Sequence, residues 1–168
     1  MIKDKVLLLI KISKKNNLKI SVAESCTGGL LSSSIIEIPG ASDIFNSGFV
    51  TYSNIAKIKH LGVNKDTVKK FGAVSNETSL AMAKGLYKIS KSNLIVSITG
   101  VAGPSGGTLK NPVGTVYFTF GVRQNKKTIT YSTYRHNFKS KNRVGIQKKS
   151  VNYVLDKFIE IAKTYKLD

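Results

Sequence analysis

Residues 18–38 read "LKISVAESCTGGLLSSSIIEI". The opening "LKISVA" alternates apolar and polar residues and predicts a strand. "LLSSSIIEI", opened by Gly28–Gly29 and stopped by Pro39–Gly40, predicts a helix. Upstream, apolar residues at Val6, Leu9, Ile10 and Ile12 predict a helix that ends at Asn16–Asn17. Downstream, "SGFVTY" (47–52) reads as a strand, and Ser53 or Asn54 caps a short helix, "IAKIKHL", closed by Gly62. "NKDTVKKF" (64–71) gives another short helix, and Ser75 or Asn76 caps a longer one through "ETSLAMAKGLYKIS". "NLIVSIT" (93–99) is a continuous apolar run of strand length followed by a glycine-rich loop, "GVAGPSGGTLKNP". "VGTVYFTFGV" and "TITYSTYRHNF" alternate around "RQNKK" and predict an antiparallel hairpin, and a helix over roughly residues 141–165 follows. Helices interspersed with strands, then a hairpin, imply an α/β fold: a single domain with a mixed β-sheet and helices packed on both faces, a three-layer α/β/α arrangement.

A chain of 168 residues suits one compact core, so residues 1–168 are expected to form one domain. The apolar run "VLLLIKI" is too short to span a bilayer and lacks a cleavage site, which predicts a cytoplasmic protein without membrane attachment. One cysteine and two histidines exclude an intramolecular disulfide and offer no zinc ligand set, so no metal and no cofactor is expected. The net charge of +18 invites a nucleic-acid partner. The lysines are scattered rather than gathered into one arginine-rich tract with aromatic platforms, and this favours a solvated basic surface.

In open α/β sheets, ligands sit beyond the carboxyl ends of strands, where "AESCTGG", "TYSNIAK" and "TGVAGPSGG" all fall. The chain contains neither H-E-x-x-H nor G-x-x-x-x-G-K-[ST], and His60 and His136 lie outside these stretches, so a Ser-His-Asp triad is not expected. Lysine replaces histidine as a base when burial removes its charge. Lys57, in the helix after Tyr52, is the candidate. Tyr52 and Lys57 are five apart, not the four of a dehydrogenase Tyr-x-x-x-Lys pair, so Tyr52 comes from the strand end, free to relay a proton. Ser25 lies ahead of helix amides able to hold an oxyanion and is the expected nucleophile. Cys26 is its competitor, without a histidine to make a thiolate. Glu24 either orients a polar substrate group or pairs with Lys57, and Thr27 is a possible helix cap. The glycine loop offers backbone amides to an anion or merely turns tightly, and Arg143 is either a bidentate phosphate partner or a surface charge.

Taken together, "AESCTGG", "GFVTYSNIAK", "GAVS", "SITGVAGPSGG" and "PVGTVYF" resemble the C-terminal domain of the competence/damage-inducible protein A family. The resemblance covers nearly the whole chain. It implies a stand-alone amidohydrolase, without the nucleotide-processing N-terminal domain of longer relatives, that converts nicotinamide mononucleotide to nicotinate mononucleotide and ammonia. It also implies a catalytic Ser25, Tyr52 and Lys57, the residues the chemical reading reaches separately. Glu24, Cys26, Thr27, Gly28, Asn54, Thr99, Gly100, Gly103 and Arg143 are the expected substrate-binding set. One departure stands before the last helix, where the family often has Gly-Asp-Arg and this chain has Lys141-Asn142-Arg143. The alternative function is a basic nucleic-acid or nucleotide-binding module without catalysis. A small-molecule nucleotide is the expected partner, and the exposed edges of a mixed sheet leave room for a homodimer.

Overall fold

The computed structural model describes residues 1–125, 128–140 and 142–165. In chain order the elements are α1 (Ile2–Lys15), β1 (Ile20–Glu24), α2 (Leu30–Ile36), a 3-10 turn (Ala41–Asp43), β2 (Phe45–Val50), α3 (Asn54–Leu61), α4 (Lys65–Phe71), α5 (Asn76–Ser90), β3 (Leu94–Gly100), β4 (Thr115–Arg123), β5 (Ile129–Asn137) and α6 (Arg143–Thr164). The strands form one sheet in the order β2-β1-β3-β4-β5. β2, β1 and β3 run parallel, whereas β4 and β5 are antiparallel to their neighbours. This is the mixed three-layer sheet that the sequence predicts.

β3 shows why "NLIVSIT" is apolar throughout, since alternate side chains enter two different cores. Leu94, Val96 and Ile98 join Val6, Leu9, Leu31, Phe118 and Phe158 between the sheet and the layer of α1, α2 and α6. Ile95, between them in sequence, joins Met82, Ala83 and Leu86 beneath α5. Polar residues on that second face pair with one another: Ser79 Oγ lies 3.2 Å from Ser97 Oγ and 2.8 Å from Thr119 Oγ1.

The element boundaries differ from expectation where local hydrogen bonds decide them. β2 starts at Phe45 and ends at Val50, which leaves Thr51 and Tyr52 outside the ladder. The 3-10 turn after Gly40 is not signalled in the sequence pattern. Ser53, not Asn54, caps α3 by accepting the Ala56 N–H at 3.0 Å, and Ser75, not Asn76, caps α5 by accepting from Thr78 at 3.1 Å. Lys126 and Lys127 of the expected hairpin turn, and Lys141 before the last helix, lie outside the described residues. No described helix is long and apolar enough to cross a membrane. Because β1, β2 and β3 are parallel, the segments that follow them emerge at one edge of the sheet.

Candidate active site

The turn after β1 is held from both sides. Ser25 donates its N–H to the Ile98 carbonyl of β3 at 2.9 Å, and Gly28 and Gly29 take left-handed conformations (φ 59° and 93°) that reverse the chain into α2. Gly29 is the N-cap of α2 and has no side chain to cap with. Thr27 does not supply one: its buried hydroxyl has no partner among the described residues. Glu24 does. Its Oε2 accepts the N–H groups of Gly29 and Leu31, both at 3.1 Å, and its Oε1 accepts the Ser32 N–H at 2.8 Å and hydroxyl at 2.7 Å. The carboxylate, wholly buried, is therefore turned onto α2 rather than paired with Lys57. The α2 amides expected to receive an oxyanion are already bonded, because a fixed negative charge occupies that helix start.

Lys57 is among the largest fully buried side chains. Its Nζ lies 3.0 Å from Ser25 Oγ, 2.9 Å from the Thr51 carbonyl and 3.3 Å from the Tyr52 carbonyl. Burial pushes its pKa below the ordinary 10.5, against the attraction of a Cys26 thiolate. Three acceptors satisfy an ammonium completely. A neutral amine keeps two N–H bonds to the carbonyls and turns its lone pair to the third direction, where the Ser25 hydroxyl lies. Cys26 is also buried, and desolvation pushes its thiol up to about 12, although its own backbone N–H, Arg143 and Lys57 pull the other way. A thiol so raised stays protonated at neutral pH.

Tyr52 departs from the expected relay. Its side chain is largely exposed, and its hydroxyl accepts from Arg143 at 3.1 Å, so it is the Tyr52 carbonyl, not the phenol, that meets Lys57. Arg143 also donates to the Gly103 carbonyl at 2.9 Å, joining the tyrosine to the glycine loop. Asn142, just before this arginine, caps α6 by accepting the Gly145 N–H at 2.8 Å. One turn further, Gln147 donates to the Cys26 carbonyl at 2.9 Å.

These segments enclose a cavity of about 290 Å³. Of the residues singled out in the sequence, Ser25, Cys26, Tyr52, Lys57, Thr99, Gly100, Gly103 and Arg143 line it. Glu24, Thr27, Gly28 and Asn54 do not: the first two are buried beneath the turn, and the other two face outward. Ala73, Val74, Val101, Ala102, Ser105 and Gly106 complete the wall. The carbonyls of the "GAVS" motif hold neighbours in place: Ala73 accepts from Thr99 Oγ1 at 2.7 Å and Val74 from Asn111 Nδ2 at 2.8 Å. Gln147, four residues after Arg143 on the same helical face, is legible only once Arg143 is placed. Among the described residues, the N–H groups of Ala102, Gly103, Ser105 and Gly106 make no hydrogen bond within the protein. Neither histidine joins the site. His60 is exposed, and His136 packs against Tyr153 at 4.2 Å between ring centroids.

The fold and the site define a three-layer α/β domain with a buried serine–lysine pair beneath a glycine-rich loop. The chain belongs to the family described by the CinA C-terminal domain, whose model matches residues 3–162. It is 58% identical over 102 residues to a CinA-like protein of Fervidobacterium nodosum, covering 61% of this chain and 25% of that protein. With a CinA-like protein of Endomicrobium trichonymphae it shares 49% identity over 142 residues, 84% of this chain and 32% of the relative. The chain thus spans about a third or less of the curated relatives it matches. The solved structure of the competence/damage inducible protein CihA from Agrobacterium tumefaciens superposes with a TM-score of 0.89 at 36% identity, covering 95% of this chain and 94% of that one.

Proposed function

We propose that this domain is an amidohydrolase that cleaves the carboxamide of a pyridine nucleotide, nicotinamide mononucleotide being the substrate implied by the sequence resemblance. The observation that carries the reading is the buried Lys57 amine 3.0 Å from Ser25 Oγ, with two carbonyls orienting its lone pair. Neutral Lys57 takes the Ser25 proton as Oγ attacks the carboxamide carbon. With the α2 amides bonded to Glu24, the free N–H groups of the glycine loop, together with that of Cys26, are donors at the pocket for the oxyanion or the substrate phosphate. The lysine returns its proton to the departing ammonia, and water activated by the same amine hydrolyses the acyl-serine. Arg143 has donors beyond those it gives to Tyr52 and Gly103, and these face a phosphate. The net charge of +18 draws an anionic substrate toward the protein.

Ammonia release from nicotinamide mononucleotide tests the proposal. Ser25→Ala is expected to lower turnover by at least about a thousandfold, and Cys26→Ala by less than about tenfold. A parent protein that releases no ammonia rejects the substrate assignment, whereas the reverse order of the two variants rejects Ser25 as nucleophile.

A further inference from the structure

Glu24 and Lys57 are the two acid or base side chains fully buried among the described residues, and the chemistry proposed above uses only the lysine. The acid's placement is unusual for a helix cap. A capping side chain ordinarily belongs to the N-cap residue itself, but here that residue is Gly29. The cap comes instead from the end of β1, five residues earlier, and reaches across the turn to Gly29, Leu31 and Ser32. Ser25 lies inside the loop so closed. The Glu24 main chain ties in the other half of the pair: its carbonyl accepts the Thr51 N–H at 2.8 Å, and the Thr51 carbonyl in turn accepts from Lys57 Nζ at 2.9 Å.

We infer that Glu24 is a positioning residue, whose four-bonded carboxylate clamps the turn of residues 25–29 onto α2 and thereby fixes Ser25 Oγ against Lys57 Nζ. The inference rests on the serine–lysine reading and deepens it. Both carboxylate oxygens accept only, which suits four converging donors. In Glu24→Gln one oxygen becomes an NH2 that faces N–H or O–H donors, so the turn must move away from one side of the clamp. Displacements of about 1 Å between reacting groups lower rates by about a hundredfold. Substrate contacts at the glycine loop and Arg143 are separate from the clamp, so the loss belongs in kcat rather than KM.

The test follows Ser25 with a small fluorophosphonate, which forms an Oγ–phosphorus bond, expels fluoride and passes the serine proton to Lys57, so that it reads nucleophile geometry without any amide substrate. Glu24→Gln, with a native far-UV spectrum, is expected to slow labelling by about tenfold or more and to lower kcat for ammonia release by a similar factor, with KM within about twofold of the parent. Ser32→Ala removes one of the four bonds but keeps the carboxylate, and is expected to slow labelling by about threefold. Where Glu24→Gln does not fold, Ser32→Ala decides in the same sense. Parent-like labelling rates in the folded variants overturn the inference, as does a loss confined to labelled amplitude, which reports unfolded protein. A parent that labels at Ser25 in a Lys57-dependent way yet releases no ammonia fails the substrate assignment alone. One that does not label at Ser25 fails the serine–lysine reading and the clamp together.

Discussion

A lysine buried among carbonyls makes a claim about pH as well as about chemistry. Its folded-state pKa lies below the 10.5 of an exposed lysine, so between those two values the unfolded chain binds more protons and stability rises with pH. Below the folded pKa the buried charge costs its full amount. Lys57→Met abolishes this dependence. The stability of the variant relative to the parent is therefore most favourable below the folded pKa and falls by up to about 1.4 kcal/mol per pH unit between that pKa and 10.5, measurable by urea unfolding at a series of pH values. Activity has the matching sign, since only the neutral amine accepts the serine proton: kcat/KM climbs with pH through the depressed lysine pKa. Among single residues, the meeting of Ser25 and Lys57 is legible because a polar strand-end turn and the helix start after the next parallel strand fall at the same edge of the sheet. The side chains of Tyr52 and Glu24 point away from the expected Lys57 contacts for a common reason. Sequence places a residue at a strand end but does not fix where its side chain points, and here the phenol turns toward Arg143 while the carboxylate turns down onto α2.

Elements were legible where periodicity or a cap fixed them, as in β3 and α5, and less so where a ladder simply stopped. β2 ends at Val50, where the Thr51 N–H gives the last bond to the Glu24 carbonyl of β1 and the pairing stops, an end point with no sequence signature. The contact between α3 and α5 was likewise invisible, although a single glycine permits it. A Cβ on Gly85 would collide with the Leu61 carbonyl oxygen, so the two helices approach at backbone distance. Gly85→Ala gains helix propensity of about 1 kcal/mol but must force the helices apart. The expected net effect is a destabilisation of about 1–3 kcal/mol, read from the midpoint of a urea melt. Since α3 carries Lys57, kcat is expected to fall in the same variant.

At the scale of the molecule, the layer order and the mixed sheet were readable from the succession of strands and helices, because parallel neighbours need crossover helices and the terminal hairpin does not. The +18 charge is the feature most open to misreading. Scattered lysines attract polyanions by releasing counterions, so duplex DNA retained at about 50 mM salt should be lost by about 200 mM, with affinity falling about a thousandfold in an anisotropy titration. Binding that persists through that range would instead support a dedicated nucleic-acid face. The last helix bears on the molecule as a whole. α6 brings Arg143 and Gln147 to the pocket at its first turns and is anchored near its far end, where Asn16 donates to the Ala162 carbonyl at 2.7 Å. During synthesis, Ser25, Lys57 and the glycine loop leave the ribosome well before these residues do. The nascent chain thus carries the Ser25–Lys57 pair while the pocket still lacks a wall, and the pocket is complete only when α6 docks.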